Sequence, residues 1–350
     1  MRILIVGGGA REDALSWKLA QSASCDALFH APGNAGTATR GTNFPEVAAT
    51  DTRAILDRAK AHAIDLIVVG PENALAAGKG VVVCDDSAAA LVVLGEWYEK
   101  NAIPGGGTDI VLEERMSGRE ISVFAIADGR AMIPIAAACD YKRAGDDDRG
   151  PNTGGMGAYS PPQGFPDNVL EIVRERIIAP VLRGLLAEDE VYRGVLYVGL
   201  MWTDSGPRVV EFNARFGDPE TQVMMPRVSG DFARYLASAA EGAIEIDAAH
   251  FTDEACVGVT LTTDRYPYEN TKLSGLPATL QLPEHVAAFW GTSTREGDRV
   301  ASPGGRVLTV TASAPTVAEA RERVYAAIGK LKPQFPPGTP LAYRSDIARF

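Results

Sequence analysis

The sequence predicts an α/β protein: a parallel α/β layer at the N-terminus, a mixed middle, and an α+β unit at the C-terminus. Residues 1–72 alternate strand, helix, strand, helix, strand, and glycine-bearing loops follow the strands. From residue 250 onward, strands are followed by one long helix. With 350 residues, 46% hydrophobic and 23% charged, the chain has an ordinary globular composition and is long enough for two or three domains. The expected divisions are 1–73, 74–249 and 250–350.

The apolar run 2–6 is the first strand, and Gly7-Gly8-Gly9 turns into a helix over 12–21. A strand at 28–30 ends in Pro32-Gly33-Asn34-Ala35-Gly36-Thr37. Asp51 is placed to cap a helix over 51–62, and a strand at 65–69 ends in Gly70-Pro71-Glu72. Ligands of such layers bind at the carboxyl ends of strands, where these three loops lie. Gly78-Lys79-Gly80 precedes a strand at 81–84, and a helix is expected over 87–100. Strands are expected at 109–114, 120–127 and 132–138, the last two joined at Asp128-Gly129. A long polar loop, 140–157, precedes a helix over 167–187. Strands at 195–203 and 209–216 flank the turn Asp204-Ser205-Gly206-Pro207. Strands at 256–262 and 306–311 and a helix at 317–331 complete the chain, with Thr316 and Glu319 as a capping box.

The net charge of −11, from 45 acidic and 34 basic residues, argues against a nucleic-acid surface. No apolar run approaches a membrane span, and the N-terminus begins on a strand without a signal-peptide pattern. Cys25, Cys84, Cys139 and Cys256 are scattered, with neither metal spacing nor a disulfide framework, which points to the reducing cytoplasm.

Side chains on a strand alternate faces, so a strand over 209–216 turns Glu211, Asn213 and Arg215 one way and Val210, Phe212, Ala214 and Phe216 the other. A carboxylate and an amide oxygen suit Mg²⁺ (or Mn²⁺), which keeps the rest of its shell for water and phosphate. An arginine beside them suits the phosphate itself. The first loop places backbone N–H groups at a helix start, compatible with an anion site and with a plain turn alike. The dinucleotide pattern fails there, because Glu12 stands where its third glycine belongs. Residues 33–37 are compatible with an anion nest or an ordinary turn. Gly78-Lys79-Gly80 lacks the flanking residues of a Walker A loop but can still close over phosphates. In 140–157, Lys142 and Arg143 can hold a carboxylate or phosphate, and the glycines permit close backbone approach.

These motifs together resemble phosphoribosylamine–glycine ligases (glycinamide ribonucleotide synthetases), ATP-grasp enzymes of purine synthesis. The resemblance covers 6–15, 31–37, 68–72, 75–83, 111–122, 140–161, 196–201, 211–222, 304–310 and 343–347, with 150–161 and 211–222 the most specific blocks. It implies that ATP phosphorylates the glycine carboxylate and that the amine of 5-phosphoribosylamine attacks the acyl phosphate. By resemblance Glu211 and Asn213 hold the metal on ATP, and Arg215, Lys142 and Arg143 serve the transfer. Asp140, Asn152, Thr153, Gly154, Gly155 and Asp218 hold substrates. Gly8, Gly9, Asn34, Ala35, Gly36, Thr37, Gly70, Pro71 and Glu72 cradle phosphoribosylamine. Gly78, Lys79, Gly80, Glu113 and Glu114 fall along the nucleotide.

Two departures stand out. Asp13 replaces the family's usual histidine; a carboxylate there suits the helix start but repels phosphate, so it is expected to turn away, toward Arg11. Only Asn73 and Ala74 separate Glu72 from Leu75, where the family has several tens of residues, so the small subdomain that packs on adenine is expected to be truncated. The rival readings are a non-catalytic remnant that binds a phosphoribosyl ligand and another ATP-grasp ligase. A nicotinamide dehydrogenase is disfavoured by the failed third glycine.

Overall fold

The computed structural model describes residues 1–71, 84, 86–99 and 111–350. Its first layer is β1 (Arg2–Gly7), α1 (Ala10–Leu19), β2 (Ala27–Pro32), β3 (Thr42–Asn43), α2 (Thr52–Ala61) and β4 (Leu66–Val69), as expected from 1–72. The four strands form one parallel sheet in the order β3-β2-β1-β4. β1 sits inside it and alternates cleanly: Leu4 and Val6 pack with Phe29, Phe44 and Ile55, while Ile3 and Ile5 pack with Ala14 and Leu15 of α1. Asp51 caps α2 by accepting the Ala54 N–H at 3.0 Å.

The next described helix is α3 (Ser87–Glu99). After it come β5 (Arg119–Asp128), β6 (Met132–Asp140), β7 (Arg143–Gly145), β8 (Arg149–Asn152), β9 (Gly157–Ser160), α4 (Val169–Val173), α5 (Ala179–Ala187), β10 (Arg193–Thr203), β11 (Gly206–Asn213), α6 (Glu220–Met224), β12 (Val228–Gly230), α7 (Phe232–Glu241) and β13 (Ala249–Phe251). The C-terminal part holds β14 (Ala255–Thr263), β15 (Leu273–Pro277), β16 (Val286–Trp290), β17 (Thr294–Glu296), β18 (Arg299–Ser302), β19 (Arg306–Ala314), α8 (Val317–Leu331) and β20 (Leu341–Ala342). One large antiparallel sheet runs β11-β10-β5-β6-β9-β14-β19-β16, with β20 also on β14. Because β14 pairs with β9, this sheet is continuous across residue 250.

Several expectations need correction. Residues 111–117 form no strand and Val111 and Leu112 are exposed; 109 and 110 lie outside the described residues, as do 81–83 of the strand expected at 81–84, and Cys84 is in no strand. The loop 140–157 is largely a hairpin, β7 against β8. The helix expected over 167–187 is interrupted by a wider, π-helical turn at Arg174–Ile178. β11 stops at Asn213, short of Arg215, because Phe216 turns into the core at 1% exposure. Its other apolar residues do not fill a covered face: Val210 and Phe212 are each 44% exposed on a sheet edge. Among the described residues β4 also ends its sheet, and Ile67 and Val69 are exposed on it.

Candidate active site

The strand pair β10–β11 sets the first half of the site. Gly199 lies opposite Glu211 and Tyr197 opposite Asn213, with a bulge at Val210. Glu211 lines a narrow cleft with Glu120, Ser122, Lys142, Tyr197 and Gly199. The Lys142 ammonium donates to Glu120 at 2.6 Å. Burial works against the Lys142 charge, but Asp140 and Glu120 outweigh it and hold the ammonium above its ordinary value. Half-buried Asp140 is pushed up to about 7, first by burial and then by Glu220. Glu220 is itself buried and raised for the same reason, and its Oε1 accepts from Ser122 Oγ at 3.2 Å. Although Arg215 is off the strand, its guanidinium reaches this face and lies 5.3 Å from the centre of the Tyr197 ring. The buried Asn213 Nδ2 has no hydrogen-bond partner among the described residues. Glu211 and Asn213 share one face of β11 and can turn a carboxylate and an amide oxygen to it, donor chemistry that fits a Mg²⁺ completed by water and phosphate oxygens; the unpartnered Nδ2 is a donor and can serve only a phosphate or carboxylate oxygen. No group of three or more acidic, histidine or cysteine side chains that could hold a metal occurs among the described residues.

Lys142 and Arg143 diverge. Arg143 donates to Gly150 O at 2.9 Å within its own hairpin and is not brought to the cleft. Behind Lys142 the glycine loop folds back: Thr153 N–H and Oγ both donate to Lys142 O, at 2.7 and 2.8 Å. Gly155 has φ +107°, and a Cβ there would sit 2.3 Å from Pro219 Cδ, so this position requires glycine. Asn152 ends β8, and Gly154 N–H donates to the Tyr266 hydroxyl at 3.1 Å.

The loops of the N-terminal layer are more fully occupied than the sequence suggests. Glu12 accepts the Gly9 N–H at 2.6 Å and pairs with Arg11 at 2.6 Å, filling the space beneath Gly7, Gly9 and Gly70. A carboxylate of the chain itself therefore takes up the Gly9 N–H at this helix start. Gly8 packs on Gly33 O, and Pro71 lies against Gly7. Of the two readings open for 33–37, the turn is the one the hydrogen bonds favour. Asn34 Oδ1 accepts the N–H groups of Gly36 and Thr37 at 2.9 and 3.0 Å, while its Nδ2 donates to Gly8, Gly9 and Trp290 carbonyls. Ala35 and Thr37 are buried. Asp13 does turn away from the loop mouth, but toward Arg40 rather than Arg11, and it also accepts the Trp290 N–H at 2.7 Å. Glu114 pairs with Arg208 at 2.9 Å and Glu113 is exposed; Glu72, Gly78, Lys79 and Gly80 lie outside the described residues.

The second half of the site is a cavity of about 210 Å³ between the first loop and the C-terminal strands, lined among others by Gly9, Asp218, Tyr266, Asn270, Thr292 and Arg306. Arg306, at the start of β19, forks onto Asp218 at 2.8 and 3.0 Å and donates to Gly154 O. Burial opposes ionisation of Asp218, and Arg306 and Arg11 overcome it, holding the carboxyl below its usual range. Sequence reasoning did not single out Arg306, Tyr266 or Asn270 as site residues. The available signal was a cation directly after Gly304-Gly305 at a strand start.

A glycine-looped parallel layer facing an antiparallel sheet that carries lysine, acid and amide over a narrow cleft defines the ATP-grasp class. At the level of fold alone, the chain is similar to the biotin carboxylase domain of Hydrogenobacter thermophilus 2-oxoglutarate carboxylase, solved with MgADP and bicarbonate (TM-score 0.65, 11% identity, 94% of this chain and 89% of that one). Residues 37–221 match the phosphoribosylglycinamide synthetase ATP-grasp (A) domain, and 256–350 match the C domain of the same family. The chain belongs to the phosphoribosylglycinamide synthetase family. It is 34% identical to phosphoribosylamine–glycine ligase of Chlorobaculum tepidum, over 95% of this chain and 96% of that protein, and 35% identical to that of Escherichia coli K12, over 93% and 94%. The solved Thermotoga maritima phosphoribosylamine–glycine ligase superposes with a TM-score of 0.78 at 25% identity, over 99% of this chain and all of that one. The alignment with the Chlorobaculum protein runs over 411 positions, more than the 350 residues of this chain, so part of that relative has no counterpart here.

Proposed function

We propose that this protein is an ATP-dependent ligase that joins glycine to 5-phosphoribosylamine, yielding glycinamide ribonucleotide, ADP and phosphate in the cytoplasm. The carrying observation is the pairing of two spaces: a cleft lined by Lys142 and Glu211, with Arg215 against its Tyr197 wall, and a cavity lined by Asp218 and Arg306. The cleft suits the transferring phosphoryl group and the cavity suits the ribonucleotide. A glycine carboxylate oxygen attacks the γ-phosphorus, with Lys142 and Arg215 offsetting the charge that gathers there. The amine of phosphoribosylamine then attacks the acyl carbon, and phosphate leaves. Asp140 offers its carboxylate to the amino groups. Thr153, Gly154 and Gly155 bring backbone close to the reacting groups, and Tyr266 and Arg306 fix that loop from the far side. Glu211 and Asn213 would hold Mg²⁺, which when bound neutralises phosphate charge.

The same reading takes the stretch between Glu72 and Leu75 as shortened relative to the family. The long alignment supports this, since it shows that part of the relative has no counterpart in this chain. Each ~1.4 kcal/mol of binding energy forfeited at the adenine end weakens ATP affinity about tenfold, so turnover is slow while substrate choice is kept. The test is product analysis by mass spectrometry with phosphoribosylamine, ATP, and glycine or another amino acid. Slow glycinamide ribonucleotide formation that needs all three substrates supports the proposal. Incorporation of a different amino acid, or binding of the ribonucleotide with no product at any ATP concentration, overturns it.

A further inference from the structure

Beyond β20 the chain buries an arginine, Arg344, at 1% exposure. Its guanidinium forks onto Asp346 at 2.6 and 2.7 Å, donates to Asp148 Oδ1 at 2.8 Å and to the main-chain carbonyl of Arg143 at 3.1 Å, and lies 4.8 Å from the centre of the Tyr141 ring. Two of these grips fall on the residues either side of Lys142. Tyr141 is tied again to the same tail, its hydroxyl accepting the Ala348 N–H at 2.9 Å. The acidic tip is held in the same way. Asp346 accepts the Asp147 N–H at 2.9 Å, and Asp146 accepts the Ser345 N–H at 2.8 Å. A merely solvated acidic loop needs none of these bonds.

We propose that Arg344 is a positioning residue that clamps Tyr141 and Arg143 so that the Lys142 ammonium is presented to the cleft beside Glu120 and Glu211. This rests on the role given to Lys142 above. The planar fork is essential to it: a guanidinium can bond a carboxylate in-plane, reach a carbonyl and a second carboxylate, and lie on a ring at once, whereas an ammonium cannot. The clamp also explains why the C-terminal segment is bonded to a hairpin some two hundred residues earlier in the chain.

The test uses the intact chain with Asp148→Asn, which removes one charge from the hairpin side at a position 70% exposed and leaves the Arg344–Asp346 pair in place. Two readouts are followed: hydrogen exchange at the Thr153 amide, and acetic anhydride labelling of Lys142 relative to exposed Lys60 in the same sample. The clamp predicts about tenfold faster exchange at Thr153 and severalfold greater labelling of Lys142, with Lys60 and the melting temperature unchanged. Asp148→Glu restores both readouts, and Arg344→Lys loosens the hairpin further. Unchanged exchange and labelling in Asp148→Asn and Arg344→Lys overturn the proposal, as does a uniform rise at all amides, which would make Arg344 a general stabiliser. If the clamp readouts move but Lys142→Met leaves product formation intact, the clamp stands and the role of Lys142 fails.

Discussion

Asp13→Ala tests how the N-terminal loop is held against the C-terminal strands. The carboxylate is fully buried; one oxygen pairs with Arg40 and the other accepts the Trp290 N–H at 2.7 Å. Truncation strips Arg40 of its counter-ion, though it keeps its bonds to Ser16, Thr39 and the residue-13 carbonyl, and leaves the Trp290 N–H unpaired in a crevice closed by Gly36. Breaking a buried pair from one side costs about 3–5 kcal/mol. Arg40 keeps 21% exposure, so water recovers part of its charge and the expected loss lies near ~3 kcal/mol. Of that, ~1–3 kcal/mol is the stranded Trp290 N–H. Removing the stranded charge as well should recover stability, so Asp13→Ala/Arg40→Met is expected to be more stable than Asp13→Ala. Urea unfolding followed by tryptophan fluorescence reads the double variant and both singles. A loss below ~1 kcal/mol for Asp13→Ala, or a double variant as unstable as the sum of the singles, would refute the reasoning.

Three further outcomes are expected. Buried His30 is pushed down to about 4, chiefly by burial; its neutral form belongs to the fold, so its contribution is intact above pH 6.5 and lost as pH falls toward 4, by about 3 kcal/mol, in unfolding measured across that window. Gly155→Ala forces a Cβ onto Pro219 in a left-handed backbone region, and a ribonucleotide titration should show affinity at least about tenfold weaker, because the loop that meets Asp218 is displaced. Lys142→Met is expected to slow product formation about a hundredfold or more while leaving ribonucleotide affinity within about twofold, as separate kinetic and calorimetric measurements would show.

What the sequence revealed and what it concealed divide along a physical line. β1, the Asp51 cap and the Thr316 cap, which accepts the Glu319 N–H, depend on local pattern and were legible. So was the shared face of Glu211 and Asn213, which period two alone dictates. The partner of Asp13 was not, because Arg40 arrives from a loop whose path is set by tertiary packing. Local pattern leaves 33–37 open between a nest and a turn, and the Asn34 carboxamide decides for the turn by accepting the N–H groups of Gly36 and Thr37. Arg306 escaped notice because only antiparallel pairing of β14 with β19 carries it to Asp218. Alternation alone predicts a strand over 209–216, but β11 ends at Asn213 and Phe216 is buried, which period two does not reveal.

The cavity beside Arg306 and Asp218 is proposed to receive the ribonucleotide of this family's reaction. Calorimetric titration of glycinamide ribonucleotide into the wild-type chain and Arg306→Met tests it most directly, since no ATP is needed. Saturable binding to the wild type is expected, weakened about tenfold or more in the variant because the cation, its fork onto Asp218 and its bond to Gly154 O are lost from the cavity wall. No saturable binding to the wild type, or equal affinity in the two proteins, would contradict it.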